Sequence, residues 1–306
     1  MSILRMRAWL FCLGLLSTTM SAKTPPEKIW TEVSGAEALA HVQKLVDLGP
    51  RPAGSEAIAK ARSYIKEQLK VFGWTVDEQT FTDKTPRGEV RFVNLIAYFP
   101  QKMPAATQAP APSFVLCSHY DTKIFETFRF VGANDGGSSA GLLIELARVL
   151  AKRPELAAKI ELVFFDGEEA AENFSDTDGI YGSRYFAKSI AESKDPKRLR
   201  GGILFDMIGD RDLKVTIPPN SPPDLARDIL ASADALGFRD HFTYFDQAVT
   251  DDHSPLNAAG IPVIDLIDFR FDYWHTAGDT MDKLSPQSLQ VVGSVALYYL
   301  SEFAFK

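Results

Sequence analysis

Residues 160 to 169 read Ile-Glu-Leu-Val-Phe-Phe-Asp-Gly-Glu-Glu, and this stretch decides the fold. Ile160 to Phe165 is a largely apolar run of strand length, typical of a strand that a parallel sheet buries on both faces. Asp166-Gly167 predicts a turn, and Glu168 and Glu169 follow directly. Their carboxylates are therefore expected in the crevice at the carboxyl end of the sheet, where they would repel each other unless a cation lay between them. The alternative for any Glu pair is a solvated acidic loop.

Strand and helix patterns alternate along the rest of the chain. Apolar residues at helical spacing predict helices, and short apolar runs predict strands. The predicted helices span residues 36–48, 55–72, 138–151, 183–191, 224–236 and 285–305. The predicted strands span residues 91–98, 113–117, 160–165, 202–205, 213–217 and 261–266. This alternation predicts an α/β fold, a three-layer α/β/α sandwich with a central mixed, mostly parallel sheet.

The N-terminal residues have the layout of a secretory signal peptide. Arg5 and Arg7 precede an apolar stretch from Ala8 to Leu16, and a small polar segment, Ser17 to Ala22, follows. A bilayer crossing needs about 20 apolar residues, so this stretch is too short for one, although a retained anchor is the alternative. We therefore expect residues 1–22 to be a signal peptide and residues 23–306 to form a single α/β domain. From this layout we expect an exported protein that is periplasmic or secreted. After removal of the signal peptide, no stable insertion into the membrane is expected.

The composition of the chain limits the classes of partner that can be expected. The 306 residues are 45% hydrophobic and 24% charged, as in ordinary globular proteins, and the net charge is −7. The chain has no basic stripe, so nucleic acid is not expected as a partner. Removal of residues 1–22 would leave Cys117 as the one cysteine, which excludes an internal disulfide and favours a place in the core. No feature of the sequence predicts an oligomeric state.

Four further imidazoles or carboxylates follow apolar runs, as the Glu pair does. They are His119, Asp135, Asp206 and His275. Taken singly, three of them have a plain structural explanation: a helix N-cap for Asp135, a loop carboxylate for Asp206 and a satisfied structural imidazole for His275. Imidazole and carboxylate are also ligands of zinc. Together these residues predict a catalytic metal site in which Glu169 binds the ion and Glu168 stays free as a general base and acid.

Two other features have open interpretations. Asp251-Asp252-His253 is either a proton relay or an exposed turn. The aromatic loop from Phe269 to Trp274 is expected to wall a small apolar pocket beside His275, unless Trp274 is simply core. His41 and His241 have no comparable context and are expected at the surface.

The ordered motifs resemble a known family. The chain is similar to the zinc-dependent aminopeptidases of the M28 type and, within them, more closely to the animal-type glutaminyl-peptide cyclotransferases and their bacterial relatives. The matching stretches are 51–55 (RPAGS), 119–123 (HYDTK), 130–135 (FVGAND), 164–170 (FFDGEEA), 181–184 (YGSR), 251–253 (DDH) and 274–276 (WHT).

The resemblance implies a site. One zinc ion per chain would be held by Asp135, Glu169 and His275, with Glu168 as the proton shuttle. Asp206 and Asp251 would form a hydrogen-bonded acidic pair in the pocket, and both count with Glu168 as candidate catalytic residues. The resemblance further implies substrate contacts from Trp274, from Phe271 and from Phe174, which stands where animal members have a tryptophan. His119 would lie near the metal without binding it.

The resemblance also implies an activity, conversion of the N-terminal glutamine of peptides or proteins to pyroglutamate with release of ammonia. The alternative is an M28-type aminopeptidase with two zinc ions, in which His119 and Asp206 become ligands of the second ion. Two departures from the animal pattern keep this alternative open: the mature chain cannot form their disulfide, and residues 275–280 (HTAGDT) look more like an aminopeptidase.

Overall fold

A six-stranded mixed sheet forms the centre of the molecule. The computed structural model describes residues 28–100 and 113–306, so the predicted signal peptide and residues 101–112 lie outside the described residues. The strands are β1 (Thr75–Thr85), β2 (Gly88–Tyr98), β3 (Ser113–His119), β4 (Ile160–Phe165), β5 (Leu199–Asp206), β6 (Val215–Ile217), β7 (Phe242–Tyr244) and β8 (Val263–Ile267). The large sheet has the order β1-β2-β4-β3-β5-β8, and β6 and β7 form a separate parallel pair.

The long hairpin β1–β2 joins the sheet antiparallel to β4, whereas β4, β3, β5 and β8 are parallel. The prediction of a mixed, mostly parallel sheet is therefore confirmed. The sequence patterns missed β1, because most of its side chains are exposed and polar and show no apolar run.

Helices cover the sheet. They are α1 (Gly35–Asp47), α2 (Glu56–Val71), α3 (Gly137–Leu150), α4 (Pro154–Ala157), α5 (Tyr181–Ala191), α6 (Pro223–Ala235), α7 (His253–Ala258) and α8 (Pro286–Tyr299). Serine side chains cap three of them: Ser34 accepts from Glu37 N at 3.2 Å, Ser55 from Ile58 N at 3.1 Å and Ser285 from Gln287 N at 3.1 Å. Within the described residues, no helix combines the length and hydrophobicity that a membrane crossing requires.

Both faces of the parallel strands are buried, because alternate side chains point to opposite sides. Val115 and Cys117 of β3 pack with Phe186 of α5 and Leu256 of α7, and Cys117 lies in the core as predicted. The intervening Leu116 belongs to the larger core on the other face, which α1, α2, α3, α6 and α8 cover. The result is the predicted three-layer sandwich.

The order of the strands creates the crevice that holds the polar residues. From β3 the chain crosses to β4 on one side, and from β4 it crosses to β5 on the other side of β3. Such a reversal leaves a gap at the carboxyl ends of the strands, where ligands bind in α/β proteins. His119 and Asp206 are the last residues of β3 and β5, and the Glu pair follows β4 by two residues.

Candidate metal centre

Three of the predicted residues converge on one point. Nε2 of His275 lies 3.2 Å from Oε1 of Glu169 and 3.3 Å from Oδ2 of Asp135. We call these residues the ligand trio. They come from the loops after β8 and β4 and from the turn before α3. His275 has a φ of +54°, a strained value for a residue with a side chain, which the surrounding loop must maintain.

The trio fits a zinc ion. Carboxylate oxygens and imidazole nitrogens are zinc ligands, and catalytic zinc sites use three protein ligands and leave one position open. Ligand atoms about 2.0 to 2.1 Å from a tetrahedral ion are about 3.3 Å apart, close to the two separations measured here. Asp135 Oδ2 is also buried and makes no hydrogen bond with any described residue. A buried acceptor without a donor is costly, so this atom suits a cation.

Charge within the trio is strongly perturbed. Burial opposes a positive charge on His275, but the facing carboxylates of Asp135 and Glu169 outweigh it and raise its pKa to about 10. Burial and the charge of Asp135 raise the pKa of Glu169 to about 7, against the effect of His275. The pKa of Asp135 falls below its usual range because His119 and His275 outweigh the effect of burial.

Glu168 lies beside the trio but is not part of it. Its Oε2 is 4.0 Å from Nδ1 of His119, and its side chain is 14% exposed. Burial raises its pKa well above the usual range; His119 opposes this shift, and the charges of Glu169, Asp251 and Asp252 add to it. A carboxyl group with a raised pKa can both take up and return a proton near neutral pH.

His119 lies between two carboxylates. Its Nε2 is 3.1 Å from Oδ1 of Asp206 and 3.3 Å from Oδ1 of Asp135, and all three side chains are buried. His119, Asp135 and Asp206 thus form a second trio that shares Asp135 with the first and could hold a metal ion. Nδ1 of His119 lies 3.4 Å from Oδ1 of Asp121. The carboxylate of Asp121 also accepts hydrogen bonds from the backbone N–H groups of Glu168 and Glu169, at 3.1 and 3.2 Å.

Asp206 and Asp251, the expected acidic pair, both lie buried at the site. Oδ1 of Asp206 faces His119, and Oδ1 of Asp251 accepts the N–H of Asp252 at 2.5 Å. The two residues interact through charge: burial raises the pKa of Asp251 well above its usual range, and Asp206 adds to the shift.

The stretch Asp251-Asp252-His253 is not an exposed turn. These three residues are 3%, 0% and 0% exposed, so the alternative of a solvated loop is wrong. His253 and Asp251 also lie close to Asp265, a buried residue in the middle of β8 that the sequence reading missed because it interrupts an apolar strand.

Aromatic rings surround His275. Trp274, 43% exposed, stacks on it with ring centres 4.4 Å apart, and Phe125 and Phe130 contact it edge-on at 5.6 and 5.9 Å. Neither phenylalanine was singled out in the sequence, since phenylalanine in a loop usually indicates packing. Phe174 is 46% exposed on the loop after the Glu pair. Phe271 is 4% exposed and packs on Met207 and Ile267, which corrects its expected place on the cleft surface: it supports the loop from beneath.

The expectation that His41 lies at the surface was wrong. His41 is 8% exposed, and its Nδ1 lies 2.7 Å from the Tyr64 hydroxyl. His241 is half-buried, with Nδ1 3.3 Å from the carbonyl of Leu213. Both lie on elements whose neighbours in space come from distant parts of the chain, so the local sequence gave no sign of burial.

Comparison with known proteins extends over most of the chain. The model of peptidase family M28 matches residues 94–300. The glutaminyl-peptide cyclotransferase of Bos taurus is 30% identical over 293 residues, which cover 82% of this chain and 77% of the relative. The crystal structure of an Acidobacteriales bacterium glutaminyl cyclase has 34% identity and a TM-score of 0.81, covering 93% of this chain and 98% of that chain. The glutaminyl cyclase of Porphyromonas gingivalis has 31% identity and a TM-score of 0.77, covering 88% and 98%.

Proposed function

Since the chain belongs to peptidase family M28 and, within it, to the glutaminyl-peptide cyclotransferases, we propose that it converts the N-terminal glutamine of peptides to pyroglutamate and releases ammonia. The observation that carries this proposal is the pairing of a convergent ligand trio with a separate carboxylate, Glu168, directly beside it. Peptides and proteins that begin with glutamine are the substrates.

One zinc ion per chain is the cofactor, with Asp135, Glu169 and His275 as its ligands. When bound, zinc supplies a Lewis acid that polarises the γ-amide carbonyl of the substrate. Aromatic rings pack around His275, so the substrate's side-chain amide enters beside an apolar wall.

Glu168 moves the proton. Its carboxylate accepts a proton from the substrate's α-amine while the amine nitrogen bonds the side-chain carbonyl carbon and closes a five-membered lactam. Glu168 then returns a proton to the amide nitrogen as the C–N bond breaks, and ammonia leaves. Because nucleophile and carbonyl belong to one residue, the enzyme needs only to fix its folded conformation. Asp251 supports Glu168 through negative charge, which raises the affinity of Glu168 for the proton, and Asp206 acts in the same way on Asp251.

The aromatic residues bind the substrate and keep water away. Trp274 covers one face of His275, and Phe125 and Phe130 cover its edges. Exclusion of water prevents hydrolysis from competing with attack by the amine. Phe174 contributes exposed aromatic surface on the loop after the Glu pair, where the substrate's side chain or second residue is expected.

A two-zinc aminopeptidase is the second candidate function, and one observation favours it. Asp135 belongs to both trios, which is the arrangement of a carboxylate that bridges two ions. Glu168 would then activate water against the first peptide bond.

The product separates the two functions. Zinc-loaded protein is incubated with a glutamine-initiated dipeptide amide, and the products are identified by mass spectrometry. Loss of one ammonia from an intact dipeptide supports the cyclase. Release of free glutamine would overturn it in favour of the aminopeptidase. A dipeptide amide that begins with asparagine, one methylene shorter, is the control, since it cannot close the five-membered ring.

The proposal also includes the location of the protein in the cell. Residues 23–306 form one catalytic domain, and residues 1–22 direct export to the periplasm or the medium. The mass of the protein recovered from the periplasmic fraction tests this: a chain that begins at residue 23 is expected, and an intact N-terminus would contradict cleavage.

A further inference from the structure

Asp279 links the turn that carries His275 to the backbone that carries Asp135. Its Oδ1 accepts the N–H of Asn134 at 2.7 Å, and its Oδ2 accepts the N–H of Asp135 at 3.1 Å. Asp279 is 1% exposed. It belongs to the turn that follows His275, with its own N–H 3.3 Å from the carbonyl of Thr276. The turn that carries one ligand therefore also binds the backbone that carries another.

The backbone around Asp135 needs such a partner. Gly132 and Gly136, on either side of it, both have positive φ values, +50° and +71°, which leave this segment easily deformed. A carboxylate that binds two successive N–H groups fixes both peptide planes at once, and charge-assisted hydrogen bonds of this kind are the strong ones. Burial and the charge of Asp135 raise the pKa of Asp279 to about 7, and the nearby buried guanidinium of Arg51 opposes this shift and favours the ionised form. Arg51 also donates to the carbonyl of Gly132 at 2.9 Å.

The same device occurs at the other carboxylate ligand. Asp121 accepts the N–H groups of Glu168 and Glu169, as described above. Asp279 differs because it connects two ligand-bearing segments that are 140 residues apart, Asp135 and the loop of His275. The two oxygens of Asp279 accept from backbone N–H groups and not from a ligand side chain, so Asp279 acts on the centre through the position of the backbone and through its charge, which reaches Asp135.

We propose that Asp279 is a positioning residue that sets the distance between Asp135 and His275 and so tunes the affinity of the metal centre. This inference rests on the proposed zinc site but not on the cyclase reaction. Partners that orient metal ligands typically contribute 10- to 100-fold to metal affinity, and we expect Asp279 to do the same through the backbone.

The test compares two isosteric variants of the full chain. Asp279→Asn replaces one acceptor oxygen by an NH₂ group that faces an N–H. Asp268→Asn is the matched control: Asp268 is 0% exposed and accepts the N–H groups of Lys214 and Arg270 at 2.8 and 3.1 Å, none of which belongs to the trio. Zinc affinity is measured by competition with a chromophoric chelator, and stability by chemical denaturation.

The expected result is a zinc affinity about 10- to 100-fold weaker for Asp279→Asn and within about twofold of wild type for Asp268→Asn, with similar losses of stability. Unchanged zinc affinity in Asp279→Asn would overturn the proposal and leave Asp279 a purely structural residue. Wild-type protein that binds zinc tightly but does not cyclise glutamine would refute the proposed function and leave this inference standing. A wild-type chain that binds no zinc would overturn both.

A second measurement covers the case in which Asp279→Asn does not fold. Amide hydrogen exchange of the zinc-loaded wild-type chain reports directly on the two N–H groups. We expect the N–H groups of Asn134 and Asp135 to be strongly protected. Their protection should be comparable to that of the hydrogen-bonded N–H groups at the start of β5. Exchange at the rate of an unstructured loop would show that the carboxylate does not hold this backbone, and it would overturn the proposal without any variant.

Discussion

Nε2 of His119 lies 3.1 Å from Oδ1 of Asp206, so the second trio already has an internal hydrogen bond. The ligand trio also has one, between His275 and Glu169, but it leaves Oδ2 of Asp135 buried without a hydrogen bond to any described residue. An acceptor in that state gains more from a cation than one that a histidine already satisfies. The geometry therefore ranks the two candidate metal positions and favours the one that contains His275.

This ranking predicts different outcomes for the two histidines. His275→Ala is expected to weaken zinc binding by more than the roughly 100-fold that loss of an outer partner typically costs, because a direct ligand is removed. His119→Ala is the matched control and is expected to keep one tightly held zinc ion per chain. Elemental analysis after dialysis against a chelator measures both. Two tightly held ions in wild type, one of which disappears in His119→Ala, would instead support the aminopeptidase.

The separation of Glu168 from the trio predicts a variant that binds but does not react. Glu168→Gln is expected to retain zinc and to lose about 10²- to 10⁴-fold in kcat, the usual contribution of a general acid-base group. Glu172→Gln makes the same change at an exposed position on the same loop and should leave kcat unaltered. Steady-state kinetics on a glutaminyl dipeptide amide gives the comparison. Near wild-type turnover in Glu168→Gln would assign the proton transfer to another group.

The site was predictable from sequence where a ligand follows an apolar run. Strands end at His119 and Asp206, and the Glu pair closely follows a strand. The apolar run before each of these residues therefore predicted its position at the end of the sheet. Asp265 gave no such sign, because a single carboxylate inside β8 interrupts a pattern that otherwise predicts only a core strand. The role of Phe271 was overestimated for the opposite reason: an aromatic residue near a ligand has the same sequence signature whether it faces the cleft or the core.

The fold was predictable to a similar degree. The buried strands β3, β4, β5 and β8 and the longer helices have strong periodicity, whereas β1 is an edge strand with mainly exposed polar side chains. Edge strands are held by backbone pairing to one neighbour, here residue by residue from Thr75–Tyr98 to Thr85–Gly88, and that pairing leaves no hydrophobic pattern. Burial of His41 likewise depends on a contact with α2 that its own helix does not specify.

Buried Arg51 predicts a large loss of stability from a conservative change. Its guanidinium is fully buried and donates to the carbonyls of Tyr120, Val131 and Gly132. Lysine cannot reach three acceptors in that planar arrangement, so Arg51→Lys is expected to lower the free energy of unfolding by about 2 to 4 kcal/mol. Urea denaturation of the zinc-free protein measures it. Arg227→Lys, at an exposed ion pair with Asp224, should stay within about 0.5 kcal/mol of wild type; an equal effect of both changes would contradict the argument.

His41 predicts a pH dependence of stability that is unrelated to the metal centre. Burial is the main reason that its pKa falls from 6.5 to about 4 in the folded chain; Arg148 lowers it further, and Glu37 opposes the shift. The unfolded chain therefore binds more protons between these two values, so the stability from a neutral His41 is complete above pH 6.5 and is lost as the pH falls toward 4. Between pH 7 and about pH 5 the loss should be about 2 kcal/mol. His41→Gln removes the titration and should flatten this part of the curve by that amount. Unfolding free energies of the two zinc-free proteins across this range decide the matter, and parallel curves for wild type and His41→Gln would show that His41 is not kept neutral by the fold.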